Sequence, residues 1–275
     1  MNDPVAPDSP SPAAVSSSAV PPLLELSEVV VRFGGNVAVD GASLTVDAGT
    51  IVGLIGPNGA GKTTTFNVIT GLERPSSGRV RWAGDDISGL AAHRRARLGL
   101  ARTFQRLELF GSLSVAENVL FAAELCRRQG GTVRPPVVDV APDVDAVHET
   151  AALLERVGLG DLAATRAEEL PTGLARLTEL ARALATRPRL LLLDEPSSGL
   201  DERETERFAD LLVELAADGL GILLVEHDVP LVMRIASRVF VLDLGRILAS
   251  GTPAEVQRDQ RVIDAYLGAA PVGEV

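Results

Sequence analysis

One glycine-rich segment constrains the fold more than any other part of this sequence. Residues 56–65 read GPNGAGKTTT, in which Gly56, Gly61, Lys62 and Thr63 match the pattern of a loop that binds phosphate. The apolar run IVGLI precedes the loop, and the residues after it have the pattern of a helix. Such a strand, loop and helix direct backbone N–H groups and a helix N-terminus at an anion. The segment therefore predicts an α/β fold with a phosphate site at the end of a strand.

Lys62 is the only lysine among 26 lysine and arginine residues, so its position needs something that arginine does not provide. A compact ammonium on a flexible stem reaches between the β- and γ-phosphates, whereas a planar guanidinium is bulkier and forks rigidly. The single lysine also excludes the Asn/Thr-Lys-x-Asp motif with which GTPases read guanine, and this favours ATP over GTP. The Thr63 hydroxyl is the predicted magnesium ligand of the loop. The residues predicted to surround the phosphates are Gly56, Pro57, Asn58, Gly59, Ala60, Gly61, Lys62, Thr63 and Thr64.

Composition limits the partners and the compartment of this chain. Its 275 residues are 46% hydrophobic, enough for a substantial core, and its formal net charge of -11 argues against binding DNA or RNA. The single cysteine, Cys126, cannot form an internal disulfide, which favours a reducing compartment. No apolar run approaches the roughly 18 residues of a membrane-spanning helix. Residues 1–22 do not resemble a signal peptide and are predicted to be a disordered tail, and residues 269–275 a second short tail.

From Leu23 onward the sequence alternates short apolar strands with helices. Runs such as LLELSEVVVRF and ASLTVDAGTIVGLIG predict that strands dominate the opening section. The pattern is helical from about 92 to 185, apart from a loop or insertion broken by Pro and Gly at 127–143. Helices are then predicted around 202–217 and 229–236, between the strands LLLLDEP, GILLVEHD and VFVLDLGRILASG. This alternation predicts an α/β fold with a mostly parallel sheet.

Two of the predicted strands end in polar residues that are suited to catalysis. Asp194 and Glu195 follow the run LLLL, and Glu226-His227-Asp228 follows GILLV. The carboxyl ends of parallel strands face the ligand crevice of an open α/β sheet, so these side chains are expected beside the phosphates. We predict that Asp194 holds the magnesium shell and that Glu195 orients or deprotonates the attacking water. The imidazole of His227 is predicted to reach the same edge of the sheet.

Several further positions complete a pattern that resembles the ATP-binding subunit of ABC transporters over about residues 23–268. Gln105 in ARTFQRLELF matches the Q-loop, the triplet GLD ending at Asp201 matches the D-loop, and His227 matches the switch histidine. Phe33 in VRFGG occupies the position of the aromatic residue that stacks on adenine. The resemblance implies that His227 and Gln105 act in catalysis, that Gln105 also contacts the metal, and that Phe33 and Asp201 contact ATP.

The resemblance also implies an architecture and a set of partners. The architecture is a P-loop NTPase (RecA-like) core at 23–268, with an antiparallel β subdomain and an α-helical subdomain inserted at about 106–180. The segments RFGGNVAVD, GLARTFQRLELFGSLSVAENVL and GTPAEVQRDQRVIDAYLG are similar to the branched-chain amino acid uptake group, which is related to amide and urea importers. In that group, two ATPase subunits pair beneath two permeases, and a solute-binding protein delivers the solute to the permeases. This implies an ATP-hydrolysing importer subunit, peripheral at the cytoplasmic face of the membrane, with the helical block around Gln105 against the permeases.

The signature element departs from the usual sequence of the family. The family commonly has L-S-G-G-Q, and this subgroup L-P-Y-G-Q, whereas residues 170–174 here read LPTGL. Thr172 and Gly173 are predicted to contact ATP held by a second subunit, from a helix N-terminus that still directs N–H groups at an anion. The missing glutamine removes polar contacts, so a heterodimer is predicted to have unequal sites. Leu174→Gln is then expected to raise ATPase activity.

Other functions remain open from the sequence. An importer for urea or amides fits the same resemblance. A soluble ABC-type ATPase acting in DNA repair or translation has the same motifs, although such proteins typically carry long insertions or two cassettes. A regulatory nucleotide-binding module with little turnover would fit the altered signature. In all of these interpretations, Arg176 and Arg182 are predicted to be solvated or salt-bridged residues on a helix rather than catalytic groups.

Overall fold

The computed structural model describes residues 21–128 and 145–267. Three predicted segments lie wholly or largely outside these residues. They are the C-terminal tail, the N-terminal tail except for its last two residues, and the loop from residue 129 onward. The first two residues of that loop, Arg127 and Arg128, instead form the end of a helix. The described residues contain two sheets, which are flanked by helices.

The first sheet is a four-stranded antiparallel sheet, as the resemblance implied. Burial alternates along its first strand, where Leu24, Leu26 and Val31 are buried between residues that are more exposed. Alternation of this kind is typical of a strand that packs on a core with one face. With strands numbered in chain order, the spatial order is β2 (Asn36–Val46), β1 (Leu24–Phe33), β4 (Ser77–Trp82), β5 (Asp85–Asp86).

The second sheet has six strands and forms the centre of the fold. Its pairs are parallel except for the hairpin of β9 and β10. Strands β3, β7 and β8 are buried along their whole length, because helices cover both faces of a parallel sheet. The order is β10 (Arg246–Gly251), β9 (Arg238–Asp243), β3 (Ile51–Ile55), β8 (Gly221–Val225), β7 (Leu190–Asp194), β6 (Leu100–Arg102). The predicted α/β fold with a mostly parallel sheet is confirmed.

The helices follow the predicted pattern with one correction. The predicted helix at 202–217 is α6, and the one at 229–236 ends one residue earlier as α7. The stretch from 92 to 185 is not helical throughout, since β6 lies within it and pairs with β7. Three residues are too few to show a periodic pattern. The helices are α1 (Lys62–Thr70), α2 (Ala92–Arg97), α3 (Val115–Arg128), α4 (Ala146–Arg156), α5 (Thr172–Leu184), α6 (Glu202–Ala217), α7 (Val229–Ile235), α8 (Pro253–Arg258) and α9 (Gln260–Leu267).

Helices α3, α4 and α5 pack together, and α5 contacts β6 at the edge of the central sheet. Val119 of α3, Leu153 of α4 and Leu180 of α5 are buried in one cluster with residues of the sheet and of α6. This packing agrees with a helical subdomain inserted into the α/β core, while its bounds at about 106–180 stay a prediction. The inserted helices place the N-terminus of α5 next to the segment after β7.

The side chain of Arg95, on α2, closes the C-terminal end of α1, the helix that follows the phosphate loop. Arg95 is 1% exposed and donates hydrogen bonds to the carbonyl oxygens of Val68 (2.6 Å), Ile69 (2.9 Å), Ser88 (3.0 Å) and Leu90 (3.0 Å). Burial lowers the pKa of this guanidinium, and the nearby Asp86 partly offsets the effect of burial. The arginine therefore satisfies carbonyl groups that a helix end leaves without partners.

Arg95→Met is expected to lower the free energy of unfolding by about 2–3 kcal/mol, since buried carbonyls lose charge-assisted hydrogen bonds. Denaturant unfolding of the purified chain measures this change. The control is Arg94→Met, at an exposed position of the same helix, which is expected to change stability by less than about 0.5 kcal/mol. Equal stability of the two variants would contradict a capping role for Arg95.

Candidate active site

The phosphate loop joins β3 to α1, and Lys62 lies inside it. Lys62 is 7% exposed, and its Nζ donates hydrogen bonds to the carbonyl oxygens of Gly56 at 2.6 Å and Pro57 at 3.0 Å. Burial lowers the pKa of Lys62, while the charges of Glu195 and Asp194 act in the opposite direction. The ammonium is therefore held at the centre of the loop, on the same side as Asp194, the predicted magnesium carboxylate, and Glu195, the predicted catalytic carboxylate.

Two glycines of the loop are required by close backbone contacts. A Cβ atom on Gly56 would lie 2.0 Å from the Leu242 carbonyl oxygen, and one on Gly61 would lie 2.4 Å from the Ala38 carbonyl oxygen. Gly61 also has φ +107°, which residues with a side chain rarely adopt. The loop is thus packed against β9 on one side and β2 on the other, and these neighbours hold its shape.

Phe33 lies on the hairpin that packs beside this loop. It is the last residue of β1, it pairs with Asn36 of β2, and it is 49% exposed. Ala38, two residues further along β2, contacts Gly61 of the phosphate loop. The hairpin therefore places an exposed aromatic ring in the neighbourhood of the loop, as an adenine contact requires, and that role stays a prediction.

The three predicted catalytic residues meet at one carboxylate. Glu195 follows β7, and its Oε2 accepts a hydrogen bond from Gln105 Nε2 at 2.8 Å, while its Oε1 lies 2.7 Å from His227 Nε2. Gln105 comes from the loop after β6, and His227 from the end of β8. Because these strands are neighbours and parallel, their ends bring the three side chains together.

The backbone at Glu195 is strained, and neighbouring groups hold it in place. Glu195 has φ +51°, a left-handed conformation that costs a residue with a side chain on the order of 1–3 kcal/mol. Its N–H donates to the Val225 carbonyl oxygen at 2.8 Å. Glu226, which is 4% exposed, accepts from the N–H groups of Ser197 at 2.7 Å and His227 at 3.1 Å. Sequence reasoning gave Glu226 no role, although its position directly before His227 was a signal.

A second group that sequence reasoning missed is Arg102, at the end of β6. Its Nη2 donates to Asp194 Oδ2 at 2.8 Å and its Nη1 donates to Asn67 Oδ1 at 2.7 Å. The side chains of Arg102 and Asp194 are only 5% and 6% exposed. The predicted magnesium carboxylate is therefore part of a buried ion pair, which no local sequence pattern indicates.

The donor groups at this edge fit a magnesium ion. Thr63, in the first turn of α1, offers an exposed hydroxyl, Asp194 a carboxylate and Gln105 an amide oxygen. Among residues 21–128 and 145–267 no three His, Cys, Asp or Glu residues are grouped so that they could hold a metal ion by themselves. Mg²⁺ usually keeps several waters and binds one or two carboxylates together with phosphate oxygens, and the donors of Thr63, Asp194 and Gln105 are of the kind that it takes.

The signature and the D-loop form a separate group of contacts. Thr172 and Gly173 begin α5, and no side chain caps this helix end. A Cβ atom on Gly199 would lie 2.8 Å from the Thr172 side chain, so the two segments touch. Asp201 caps α6, where it accepts from the Glu204 N–H at 2.8 Å. Across the described part of the chain, no hydrogen bond joins these residues to the phosphate loop, and their predicted contacts with ATP stay predictions.

Arg176 and Arg182 of α5 are less exposed than predicted, and they hold the Q-loop. Arg176 is 8% exposed, is paired with Glu179, and donates to the carbonyl oxygens of Phe104, at 2.9 Å, and Gln105. Arg182 donates to the carbonyl oxygen of Glu108. The prediction of a salt-bridged position is confirmed for Arg176, whereas Arg182 is half-buried; the Q-loop folds over this face of α5 and accepts hydrogen bonds from both side chains. The helix that begins with the signature therefore fixes the backbone at Gln105.

The fold and the site define a P-loop nucleoside triphosphatase. A glycine loop around Lys62 follows the strand β3 of a mostly parallel sheet, and the carboxylates Asp194 and Glu195 stand at the end of a nearby strand. This arrangement is suited to bind phosphate at the loop beside a carboxylate that can accept a proton.

Comparison with known proteins identifies the family. A family model described as "ABC transporter" matches residues 39–198, and one described as "Branched-chain amino acid ATP-binding cassette transporter" matches residues 246–271. The high-affinity branched-chain amino acid transport ATP-binding proteins BraF of Pseudomonas aeruginosa and LivG of Escherichia coli are each 41% identical over 253 residues, which covers 90% of this chain and 99% of each relative. A solved ATP-binding cassette of an ABC transporter, in its ADP conformation, aligns with TM-score 0.78 and 30% identity, covering 90% and 99% of the two chains.

The chain belongs to the ATP-binding, ATP-hydrolysing subunits of ABC transporters, in the branched-chain amino acid group. The predicted family and fold class are thus confirmed. Within the described residues no helix has the length and apolar character needed to cross a membrane.

Proposed function

We propose that this chain powers a branched-chain amino acid importer by hydrolysing ATP beneath two permease subunits, at the cytoplasmic face of the membrane. The proposal of hydrolysis is supported above all by one observation, the contact of Gln105 and His227 with the two oxygens of Glu195. The solute class is supported by the similarity of residues 246–271 to the branched-chain group and by the branched-chain amino acid transport function of the relatives. An extracytoplasmic binding protein supplies the solute.

Each side chain of the site has a separate task. Lys62 and the N–H groups of the loop bind the β- and γ-phosphates, and Phe33 stacks on adenine. Glu195 accepts a proton from the attacking water or orients it, while Gln105 and His227 fix the direction of its carboxylate. Thr63, Asp194 and Gln105 hold Mg²⁺, which when bound supplies positive charge to the phosphate oxygens.

A second ATP-binding subunit, identical or related, completes each site. Thr172 and Gly173 at the start of α5 lie with the D-loop, in a group of contacts apart from the phosphate loop of the same chain. An uncapped helix N-terminus attracts anions. These residues therefore contact the ATP held by the partner subunit, and closure of the two subunits on ATP drives the permeases.

A groove between the central sheet and the helical bundle receives a helical segment of the permease. Its volume is about 790 Å³, and exposed aromatic rings line it at Phe104, Phe110 and Phe121. Phe110 and Phe121 meet edge to face, with ring centroids 5.5 Å apart. Because Phe104 directly precedes Gln105, a segment in this groove lies one residue from the side chain that contacts Glu195.

Reconstitution tests the proposed function. The chain is purified with its permease partners, placed in liposomes, and assayed for ATPase activity with a leucine-loaded binding protein. Stimulation by leucine is the expected result. Stimulation by urea or an amide instead would move the assignment to an importer of those solutes, and stimulation by nucleic acid would favour a soluble ATPase of repair or translation. Binding of ATP without hydrolysis in the complete complex would indicate a regulatory module.

Leu174→Gln tests whether the altered signature weakens the site that it completes. The side chain of Leu174 is half-buried in the first turn of α5 and packs against the main core. A glutamine there restores polar contacts, so the ATPase activity of the assembled complex is expected to rise by about two- to tenfold. This is the rate factor that corresponds to the net free energy of one hydrogen bond.

The matched control for Leu174 is Leu177→Gln, one turn further along α5, where a half-buried leucine packs against the same core. This variant is expected to give no gain in activity. Unchanged turnover of Leu174→Gln at saturating ATP would count against the proposal of unequal sites.

A further inference from the structure

The guanidinium of Arg102 bridges the two elements that carry the predicted metal ligands. It donates to Asp194 Oδ2, at the end of β7, and to Asn67 Oδ1, on α1. Asn67 lies four residues after Thr63, and residues at this spacing share one face of a helix. The bridge therefore connects the helix of the Thr63 hydroxyl to the strand of the Asp194 carboxylate.

Aromatic rings and burial hold Arg102 in this position. Its guanidinium carbon lies 5.3 Å from the ring centroid of Phe66 and 4.9 Å from that of Phe104. Only arginine can donate to two separate acceptors from one rigid plane while stacking on aromatic rings. Arg102 Nε is buried without a hydrogen-bond partner, which costs stability.

We propose that Arg102 is a positioning residue for the magnesium site. By engaging Asp194 Oδ2 it sets the rotamer of the carboxylate and leaves Oδ1 for the metal, and by engaging Asn67 it sets the separation of Asp194 from Thr63. The inference rests on the proposed function, whose magnesium-dependent hydrolysis it deepens. Arg102 itself touches neither ATP nor the metal.

The test measures metal dependence in the full chain. The readout is the Mg²⁺ concentration that half-saturates binding of a non-hydrolysable ATP analogue. For Arg102→Lys this concentration is expected to rise by about 10- to 100-fold, the usual effect of losing a group that orients a metal ligand. The affinity for the analogue in EDTA is expected to stay unchanged, because Lys62 and the phosphate loop are intact.

A second variant and a control separate positioning from folding. Asn67→Ala removes one arm of the bridge and leaves the Arg102–Asp194 ion pair, so a smaller shift in the same direction is expected. Arg189→Lys removes another stacked arginine, whose guanidinium carbon lies 5.7 Å from the Trp82 ring centroid. Since Arg189 does not contact Asp194, its variant is expected to keep the wild-type Mg²⁺ requirement.

Two results would overturn the inference. One is that both Arg102→Lys and Asn67→Ala keep the wild-type Mg²⁺ requirement. The other is that Arg102→Lys lowers the melting temperature but leaves its Mg²⁺ requirement unchanged, which would make the role of Arg102 structural only. The proposed function fails by a different result, namely that the complete wild-type complex does not hydrolyse ATP. The binding readout needs no hydrolysis, so it decides the role of Arg102 in either case.

Discussion

Glu195→Gln is expected to lower ATP turnover by about 100- to 10,000-fold while ATP binding is retained. Gln105 Nε2 donates a hydrogen bond to Glu195 Oε2 at 2.8 Å, and His227 Nε2 lies 2.7 Å from Glu195 Oε1. A glutamine has nearly the same shape but only one acceptor oxygen and no negative charge, so it cannot take a proton from water. Because ATP binds and is not consumed, a closed dimer is expected to accumulate.

Phosphate release and size-exclusion chromatography with ATP measure the two effects of Glu195→Gln. The control is Glu202→Gln, which replaces a carboxylate by an amide outside the site. Glu202 is an exposed residue in the first turn of α6. It is expected to behave like wild type. Wild-type hydrolysis by Glu195→Gln would remove Glu195 from the role of base.

Lys62→Arg is the other change with a large expected effect. Lys62 is buried, and its Nζ donates hydrogen bonds to the carbonyl oxygens of Gly56 at 2.6 Å and Pro57 at 3.0 Å, so the loop has little space for a larger cation. A guanidinium loses the phosphate contact and strains the loop. ATP affinity is expected to fall by about 10- to 100-fold, the value of a charge-assisted hydrogen bond, and turnover by at least about 100-fold.

Fluorescent nucleotide binding and phosphate release check the effect of Lys62→Arg. Arg74→Lys makes the reverse exchange at an exposed position shortly after α1, and it is expected to leave both quantities unchanged. Lys62→Met separates charge from size, since it fits the loop without a charge. Full ATP affinity and turnover in Lys62→Arg would show that the position does not need a compact ammonium.

Local patterns predicted the parts of the fold in which neighbouring residues determine structure. The phosphate loop, α6 and the buried strands β7 and β8 follow from their own residues, because glycine conformations and apolar periodicity act over short distances. The pattern failed at β6, which is only three residues long and is a strand because it pairs with β7. The strand ends also predicted that Glu195 and His227 would lie at the same edge of the sheet, where His227 Nε2 lies 2.7 Å from Glu195 Oε1.

Arginine roles could not be predicted in the same way. The chain uses arginine at every basic position except Lys62, so the residue type carries little information about contacts. Arg102, Arg176 and Arg95 each reach groups that are distant in sequence, on α1, the Q-loop and the end of α1 respectively. Only packing decides which long side chains are buried and which acceptors they meet.

The sequence by itself determined the chemistry of this protein: a phosphate loop with one lysine, carboxylates at a strand end, and an altered signature at LPTGL. Tertiary structure decided how these groups are held, with Glu195 between Gln105 and His227, and Asp194 fixed by Arg102. The difference has a physical reason. Residue types and local spacing specify which groups can bind phosphate or accept a proton, whereas the orientation of each group depends on hydrogen bonds from strands and helices far along the chain.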